Sequence, residues 1–514
     1  MNIIPRPSSV KLAGEGKFCF GKKTEIVCPL PAAAAVLKKC AEASAANGGG
    51  VITFVPEKTG CDYRLTVTED GMRAEAQSVA GFMHAAATAA QLVTAYPDGV
   101  PCAVIEDSPR FKCRAVLLDV CRHFYGVPVV KKFIDAMALF KFDYLHLHLS
   151  DDQGFRLQID GLPLLHEIGS RRSSTCGDGK EHSGYYTKEQ VADIVAYAGA
   201  RGIEVIPEID VPGHMAAAIA AYPELSCSGE KTEVATWFGI HDKVLCAGKE
   251  STYDFLWKLL SETAEMFPCK YFHLGGDEVP KITWDECDLC KATMRREGLK
   301  NYEQLQGYFT NKAVKMLEKL GKTAVLWNES LYSGLVDKSA VIQYWARGAH
   351  SESTVARAVA EDGRKVIVSL CNNYYFDYPN GLTPLKKAYS FEPVLPEFGA
   401  NGEDGVFGVE CTLWTEHIAD EKTLFERTYP RAAAVAESGW SDPAKDYADF
   451  KARLAAVLPL LDLFDIPHAT IKESDPGPFA RIKQLAAWGA VNQRGANKDS
   501  ARNWRSIQRI PKDI

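Results

Sequence analysis

Two adjacent carboxylates, Asp277 and Glu278, end the short apolar run Tyr271-Phe272-His273-Leu274 after the pair Gly275-Gly276. Paired glycines let a backbone turn tightly, or come close to a ligand, where it leaves a sheet. A carboxyl group that donates a proton near neutral pH needs a raised pKa, supplied by burial or by a like charge nearby. Asp277 offers Glu278 such a charge. A solvated acidic turn has the same composition, so the residues at comparable places elsewhere in the chain must decide.

They recur at the ends of other apolar runs. Asp119 and Arg122-His123 close Cys113 to Val120, Ser150-Asp151-Asp152 close Tyr144 to Leu149, and Glu208-x-Asp210 with Gly213-His214 close Ile203 to Ile209. Trp327-Asn328-Glu329 ends Thr323 to Trp327, and Tyr344-Trp345 ends Val341 to Trp345. Tyr375-x-Asp377 follows Lys365 to Cys371, and Trp414-Thr415-Glu416 follows Val406 to Leu413. Tryptophans with carboxylates and an arginine match the needs of a sugar: aromatic faces for its C–H surfaces, charged acceptors and donors for its hydroxyls.

The elements that must position these residues alternate between strand and helix. Val130, Phe133, Ile134 and Met137 make one helical face, and Thr187-x-x-Gln190 is a capping box ahead of Val191, Ile194 and Val195. Leu305, Phe309, Leu317 and Leu320 make another stripe, stopped by Gly321. Eight strands interleaved with helices predict an α/β fold, a (β/α)8 TIM barrel over residues 108–465 with its site at the C-terminal strand ends. Residues 1–107 predict a small α+β accessory domain, with strands over Thr24 to Cys28, Val51 to Val55 and Tyr63 to Val67. Its helix has Phe82, Ala86, Ala89 and Val93 on the buried face. Residues 466–514 predict a partly irregular C-terminal extension. Its tail from Asn492, with Arg494, Lys498, Arg502, Arg505, Arg509 and Lys512, is expected to fray.

Composition sets the class. The 514 residues are 46% hydrophobic and 24% charged, ordinary for a globular chain. Lys+Arg 59 against Asp+Glu 66 gives a net charge of -7 with no basic block, so nucleic acid is not an expected partner. No apolar run is long enough to span a bilayer, so no membrane is expected, and MNIIPRPSSVKLAGEG has no apolar signal core; the expected location is cytoplasmic. Fifteen cysteines in mostly apolar contexts suit buried reduced thiols. No phosphate-binding glycine loop opens a helix, and no cofactor is expected.

The segments LLDVCRHFYGV, YLHLHLSDDQGFRLQI, EVIPEIDVPGH, YFHLGGDEV, QYW and LWTE, in that order, resemble family-20 glycoside hydrolases, the β-N-acetylhexosaminidases. The resemblance runs through about residue 465, and IIPRPSSV extends it to the N-terminal domain. It implies a carbohydrate substrate with a terminal β-linked N-acetylhexosamine, removed with retention through an oxazolinium intermediate in which the substrate assists. Under it Glu278 is the general acid, Asp277 orients the substrate's 2-acetamido group, and Tyr375 hydrogen-bonds the acetamido oxygen. Trp327, Trp345 and Trp414 wall the pocket, Arg122 and Glu416 hold outer hydroxyls, Asp377 reaches a polar group at the rim, and Asp151 with His214 forms a relay that tunes Glu278. One departure is Asn328 where the family has aspartate, which implies a lost charge near the mouth.

Two other readings compete. His146-x-His148 with His214 and nearby carboxylates fits a metal-dependent hydrolase on the same barrel, although both strand histidines suit interior residues bonded to neighbours better, and no metal is expected in the site. A non-catalytic N-acetylhexosamine-binding protein would share the walls but has no need for Asp277-Glu278. Cys287-x-x-Cys290 is half of a zinc pattern; with no second pair at ligand spacing after it, a loop staple or two free thiols is expected.

Overall fold

The computed structural model describes residues 1–176, 179–495 and 500–507. The N-terminal part is a six-stranded sheet in the spatial order Ser9–Phe18, Val100–Asp107, Tyr63–Thr68, Gly71–Ala76, Val51–Pro56, Glu25–Val27. Its first pairings are antiparallel and its last two parallel. Tyr63, Leu65 and Val67 alternate inward, the period of a sheet with one covered face. Helices Pro31–Ala43 and Val79–Ala95 supply the cover. The second is buried all round from Gly81 to Val93, more than the single expected face, because it lies between the sheet and the helices Val127–Leu139 and Tyr447–Val457. Alanines at 85, 86, 87, 89 and 90 keep it thin enough to be packed from both sides.

Eight parallel strands close a barrel: Cys113–Asp119, Tyr144–His148, Glu204–Glu208, Tyr271–His273, Thr323–Trp327, Val341–Tyr344, Val366–Val368 and Val406–Leu413. Their residues are almost continuously buried, as expected of strands covered by helices outside and side chains inside. The run Lys365 to Cys371 is a strand only over Val366–Val368, because the chain turns at Leu370 into the short helix Cys371–Tyr374. The capping box is present at Thr187 and Gln190, and helix Val127–Leu139 buries Val130, Phe133, Ile134 and Met137. Among the described residues no helix is long and apolar enough to cross a membrane.

Two expectations fail. The tail is helical over Pro478–Gly495 and Ser500–Ile507. The first of these helices is held against the barrel by Arg481, whose Nε donates to Gly381 O at 2.7 Å, and by Gln484, whose Oε1 accepts from Gly381 N at 2.7 Å. Lys498, Arg509 and Lys512 lie outside the described residues. Nor do Cys287 and Cys290 stand alone. Cys227 and Cys246 come to them from other loops, a grouping that chain spacing cannot display.

Candidate active site

Below the C-terminal strand ends the barrel interior is polar. Glu208, at the end of the third strand, accepts from His148 Nδ1 at 2.5 Å and from Trp327 Nε1 at 2.9 Å, with His146 Nε2 at 3.2 Å. The fourth strand's His273 accepts from Gly275 N through Nδ1 at 2.9 Å, and burial holds its pKa down. His146 also meets Glu410 at 3.1 Å; against the cost of burial, Glu410 and Glu208 raise it to about 9. His146 and His148 are therefore committed to carboxylates inside the barrel. They share no common ligand set with His214 among the described residues, so the three histidines of the metal-hydrolase reading are not brought together.

The acid pair sits directly above. Gly275 and Gly276 have φ of 64° and 98°, in the left-handed region. A Cβ on Gly275 would lie 1.8 Å from Asp210 Oδ1, and that same oxygen accepts from Gly276 N at 2.9 Å. Only glycine permits this approach. Glu278 itself has φ 50° and His214 φ 52°, conformations that cost a non-glycine residue on the order of 1–3 kcal/mol and gather at functional sites. Glu278 N donates to Glu329 Oε2 at 2.7 Å, which helps hold the bend.

Electrostatics separate the groups. Burial pushes Glu278 up to about 7; His214 opposes that rise and Asp277 adds to it. Burial and then Asp210 hold Asp277 well above the usual carboxylate range, and its Oδ1 has no hydrogen-bonding partner among the described residues. His214 Nε2 lies 3.7 Å from Glu278 Oε2, and its Nδ1 lies 3.3 Å from Asp151 Oδ1. Asp151 also accepts from Arg122 Nη2 at 2.8 Å and His148 Nε2 at 2.7 Å; against burial, Arg122 and His214 hold it well below the carboxylate range. One ionised carboxylate thus gathers Arg122, His148 and His214 beneath a carboxyl group that stays protonated to near neutrality.

The walls are aromatic. Trp345 and Tyr375 stack with ring centroids 6.1 Å apart, and Trp414 lies 6.3 Å from Tyr375. Trp414 also carries Arg122 over its ring at 5.2 Å. Arg122 Nη1 stands 4.0 Å from Glu416, while Asp377 is buried with Oδ1 unpartnered and is held well above the carboxylate range, first by burial and then by Glu416. The cavity is about 490 Å³, and Arg122, Asp151, His214, Asp277, Glu278, Trp345, Tyr375, Asp377, Trp414 and Glu416 all line it. Trp327 does not: only 1% exposed, it lies one layer lower, 6.0 Å from Trp414, where it buttresses that ring.

Asn328 corrects another expectation. It is fully buried rather than near the mouth, and its Oδ1 accepts from the backbone N of Trp345 at 3.1 Å, so the amide positions that wall. An unpaired aspartate charge there would be costly. Sequence reasoning also missed Phe238 and Ile240, Tyr378, His417, Trp488 and Trp504 in the lining. The long loop holding Phe238 has no periodicity to betray it. In the tail, Phe479, Ile482, Leu485 and Trp488 fall every three residues, a helical signal that the thinning apolar content obscured. Trp488 packs on Tyr378 at 5.8 Å and His417 at 5.2 Å, and Asn503 Nδ2 donates to Ile240 O at 2.9 Å.

A cavity with a protonatable carboxyl, a second carboxyl with an unpaired oxygen and an aromatic box can bind a small polar ring and deliver a proton to it. The comparisons point the same way. Residues 111–443 match the family described as glycosyl hydrolase family 20, catalytic domain, and residues 1–108 match its domain 2. A β-hexosaminidase from Porphyromonas gingivalis is 39% identical over 450 residues, which cover 83% of this chain and 57% of that protein. One from Akkermansia muciniphila is 36% identical over 410 residues, 76% of this chain and 82% of the other. The chain thus spans little more than half of the first relative and most of the second. Among solved structures, an exo-β-N-acetylglucosaminidase from Vibrio harveyi in complex with N-acetylglucosamine superposes with a TM-score of 0.79 at 32% identity, over 91% of this chain and 78% of that one.

Proposed function

The chain belongs to glycosyl hydrolase family 20, and on that premise we propose that it is a retaining exo-β-N-acetylhexosaminidase, releasing terminal β-linked GlcNAc or GalNAc from oligosaccharides or glycoconjugates. The observation that carries the proposal is the pairing of Glu278, pushed up to about 7, with Asp277, whose Oδ1 is buried and unpartnered. A protein that only bound sugar would gain nothing from this costly arrangement.

Glu278 donates its proton to the leaving oxygen. The substrate's acetamido oxygen attacks the anomeric carbon, breaking the glycosidic bond and forming an oxazolinium ion. Asp277 takes the acetamido N–H through its free oxygen and balances the charge that develops there, an interaction stronger in the transition state than before it. Tyr375 hydrogen-bonds the acetamido oxygen, and Trp345 and Trp414 enclose the methyl group and ring. Glu278, now ionised, takes a proton from water as that water opens the intermediate, so the configuration is retained. Arg122, Asp377 and Glu416 hold the ring hydroxyls, and Asp151 keeps His214 cationic beside Glu278.

The test is a chromogenic β-N-acetylglucosaminide together with the same glucoside lacking the 2-acetamido group. Cleavage of the first and near-inertness of the second are expected, with strong inhibition by a thiazoline mimic of the cyclised intermediate. Equal turnover of both would end the substrate-assisted scheme, and binding of N-acetylglucosamine without any cleavage would end the hydrolase assignment.

A further inference from the structure

Four cysteines from three loops converge outside the active-site cavity. Cys227 follows the turn Pro223–Leu225, Cys246 precedes the helix Glu250–Met266, and Cys287 and Cys290 lie at the start of the helix Asp288–Glu297. Their sulfurs stand 3.8 Å apart for Cys227 and Cys290, 3.7 Å for Cys246 and Cys290, and 3.9 Å for Cys246 and Cys287, and all four lie within 4.8 Å of one another. A disulfide requires about 2.05 Å. Tetrahedral zinc, with Zn–S bonds of about 2.3 Å, sets its sulfurs about 3.8 Å apart. These three separations, 3.7 to 3.9 Å, bracket that value.

The surroundings are built for the convergence. A Cβ on Gly248 would lie 2.3 Å from the backbone carbon of Leu289, so only a glycine lets the Cys246 loop reach the Cys287-x-x-Cys290 backbone. Trp284 Nε1 donates to Leu245 O at 3.0 Å, Cys246 N to Leu225 O at 2.8 Å, and Lys249 Nζ to Ser226 O at 2.6 Å, tying the three loops together. Cys246 and Cys290 are fully buried, and Cys227 and Cys287 border a surface cavity of about 290 Å³ that gives an ion a way in.

We propose that Cys227, Cys246, Cys287 and Cys290 bind one zinc ion as four thiolates, in a closed structural site. Binding releases the four thiol protons to solvent and forms four Zn–S bonds, with no change of oxidation state. No residue bordering the Cys227 cavity borders the active-site cavity, so the ion acts on fold and not on chemistry. Its effect still reaches the active site. It ties the loop after the third barrel strand, which carries His214, Phe238 and Ile240, to the segment after the fourth, which begins at Asp277-Glu278. Pocket-wall residues Phe238 and Ile240 lie in the segment 228–245 that the ion closes off between two of its ligands.

The full chain, purified under reducing conditions and dialysed against metal-free buffer, is expected to hold about one zinc per molecule by elemental analysis. Replacing zinc with cobalt should give thiolate charge-transfer absorption and the visible bands of tetrahedral cobalt. C287S/C290S should lose at least about nine-tenths of the zinc. The cobalt spectrum of the unmodified chain answers the question even if that variant does not fold, and C227S at the half-buried position offers a milder loss of affinity. Less than about a tenth of a zinc per chain, iron in its place, cobalt bands without thiolate character, or a mass lower by the hydrogens of two disulfides would each overturn the site.

Discussion

Asp107 is a buried carboxylate and Asp277 a half-buried one with a buried Oδ1, and their surroundings differ in every respect. Asp107 lies where the N-terminal sheet meets the barrel, and it accepts from Lys141 Nζ at 2.9 Å, Tyr63 OH at 2.7 Å, Trp440 Nε1 at 2.8 Å and Ser8 N at 2.9 Å. Asp277 has one oxygen without a partner, lies beside Asp210 and Glu278, and is pushed well above the carboxylate range. Folding alone satisfies the first cluster. The second leaves Asp277 Oδ1 unpaired among the described residues, which separates a carboxylate that holds two parts of a protein together from one that borders a cavity.

Mutations should break the two clusters in opposite ways. Glu278→Gln is expected to lower kcat by roughly 10²–10⁴-fold, the range for losing a general acid, while product binding persists. Its stability should move the other way. The folded pKa of Glu278, about 7, lies above the ordinary 4.5, so the stability it supports is fully present below about 4.5 and is lost as pH rises through about 7. The glutamine variant should therefore gain on the parent protein as pH climbs through that window, followed by Tm; a constant difference would contradict the raised pKa.

Lys141→Met should do the reverse, leaving Asp107 buried without its cation. A loss of about 3–5 kcal/mol in urea unfolding is expected, with kcat per folded molecule unchanged. A smaller effect falls on the pH profile. Above about 7 the kcat/KM of the parent should drop about tenfold per unit as Glu278 loses its proton, and Asp277→Asn should shift that limb to lower pH because Asp277 helps hold Glu278 up. A limb that does not move would detach Asp277 from the acid's tuning. The smallest effect expected is that of Trp488→Ala, which removes part of the wall supplied by the tail. KM should rise roughly two- to tenfold, the worth of one aromatic contact, with kcat held; an unchanged KM would place that helix outside the working pocket.

Much of the fold was legible because it is repetitive. The eight apolar runs lie within a residue or two of the eight barrel strands, save for Lys365 to Cys371, where the bend at Leu370 shortened the strand. Polar residues at the strand ends converge because a closed parallel barrel puts all of those ends on one rim. Trp327 was misplaced by one layer, since alternation tells which way a side chain points and not how deep its strand sits.

By itself, then, the sequence determined the order of the elements, the barrel and which residues crowd its C-terminal rim, because these follow from local periodicity and from strand ends that any closed barrel gathers. Tertiary structure alone decided what depends on distance between remote segments. It seated Asn328 under Trp345, brought the tail's Trp488 to the pocket wall, left Asp277 Oδ1 without a partner and gathered Cys227 and Cys246 around Cys287 and Cys290. Burial and pairing are properties of a packed neighbourhood, and residue order does not specify a neighbourhood until the chain has closed around it.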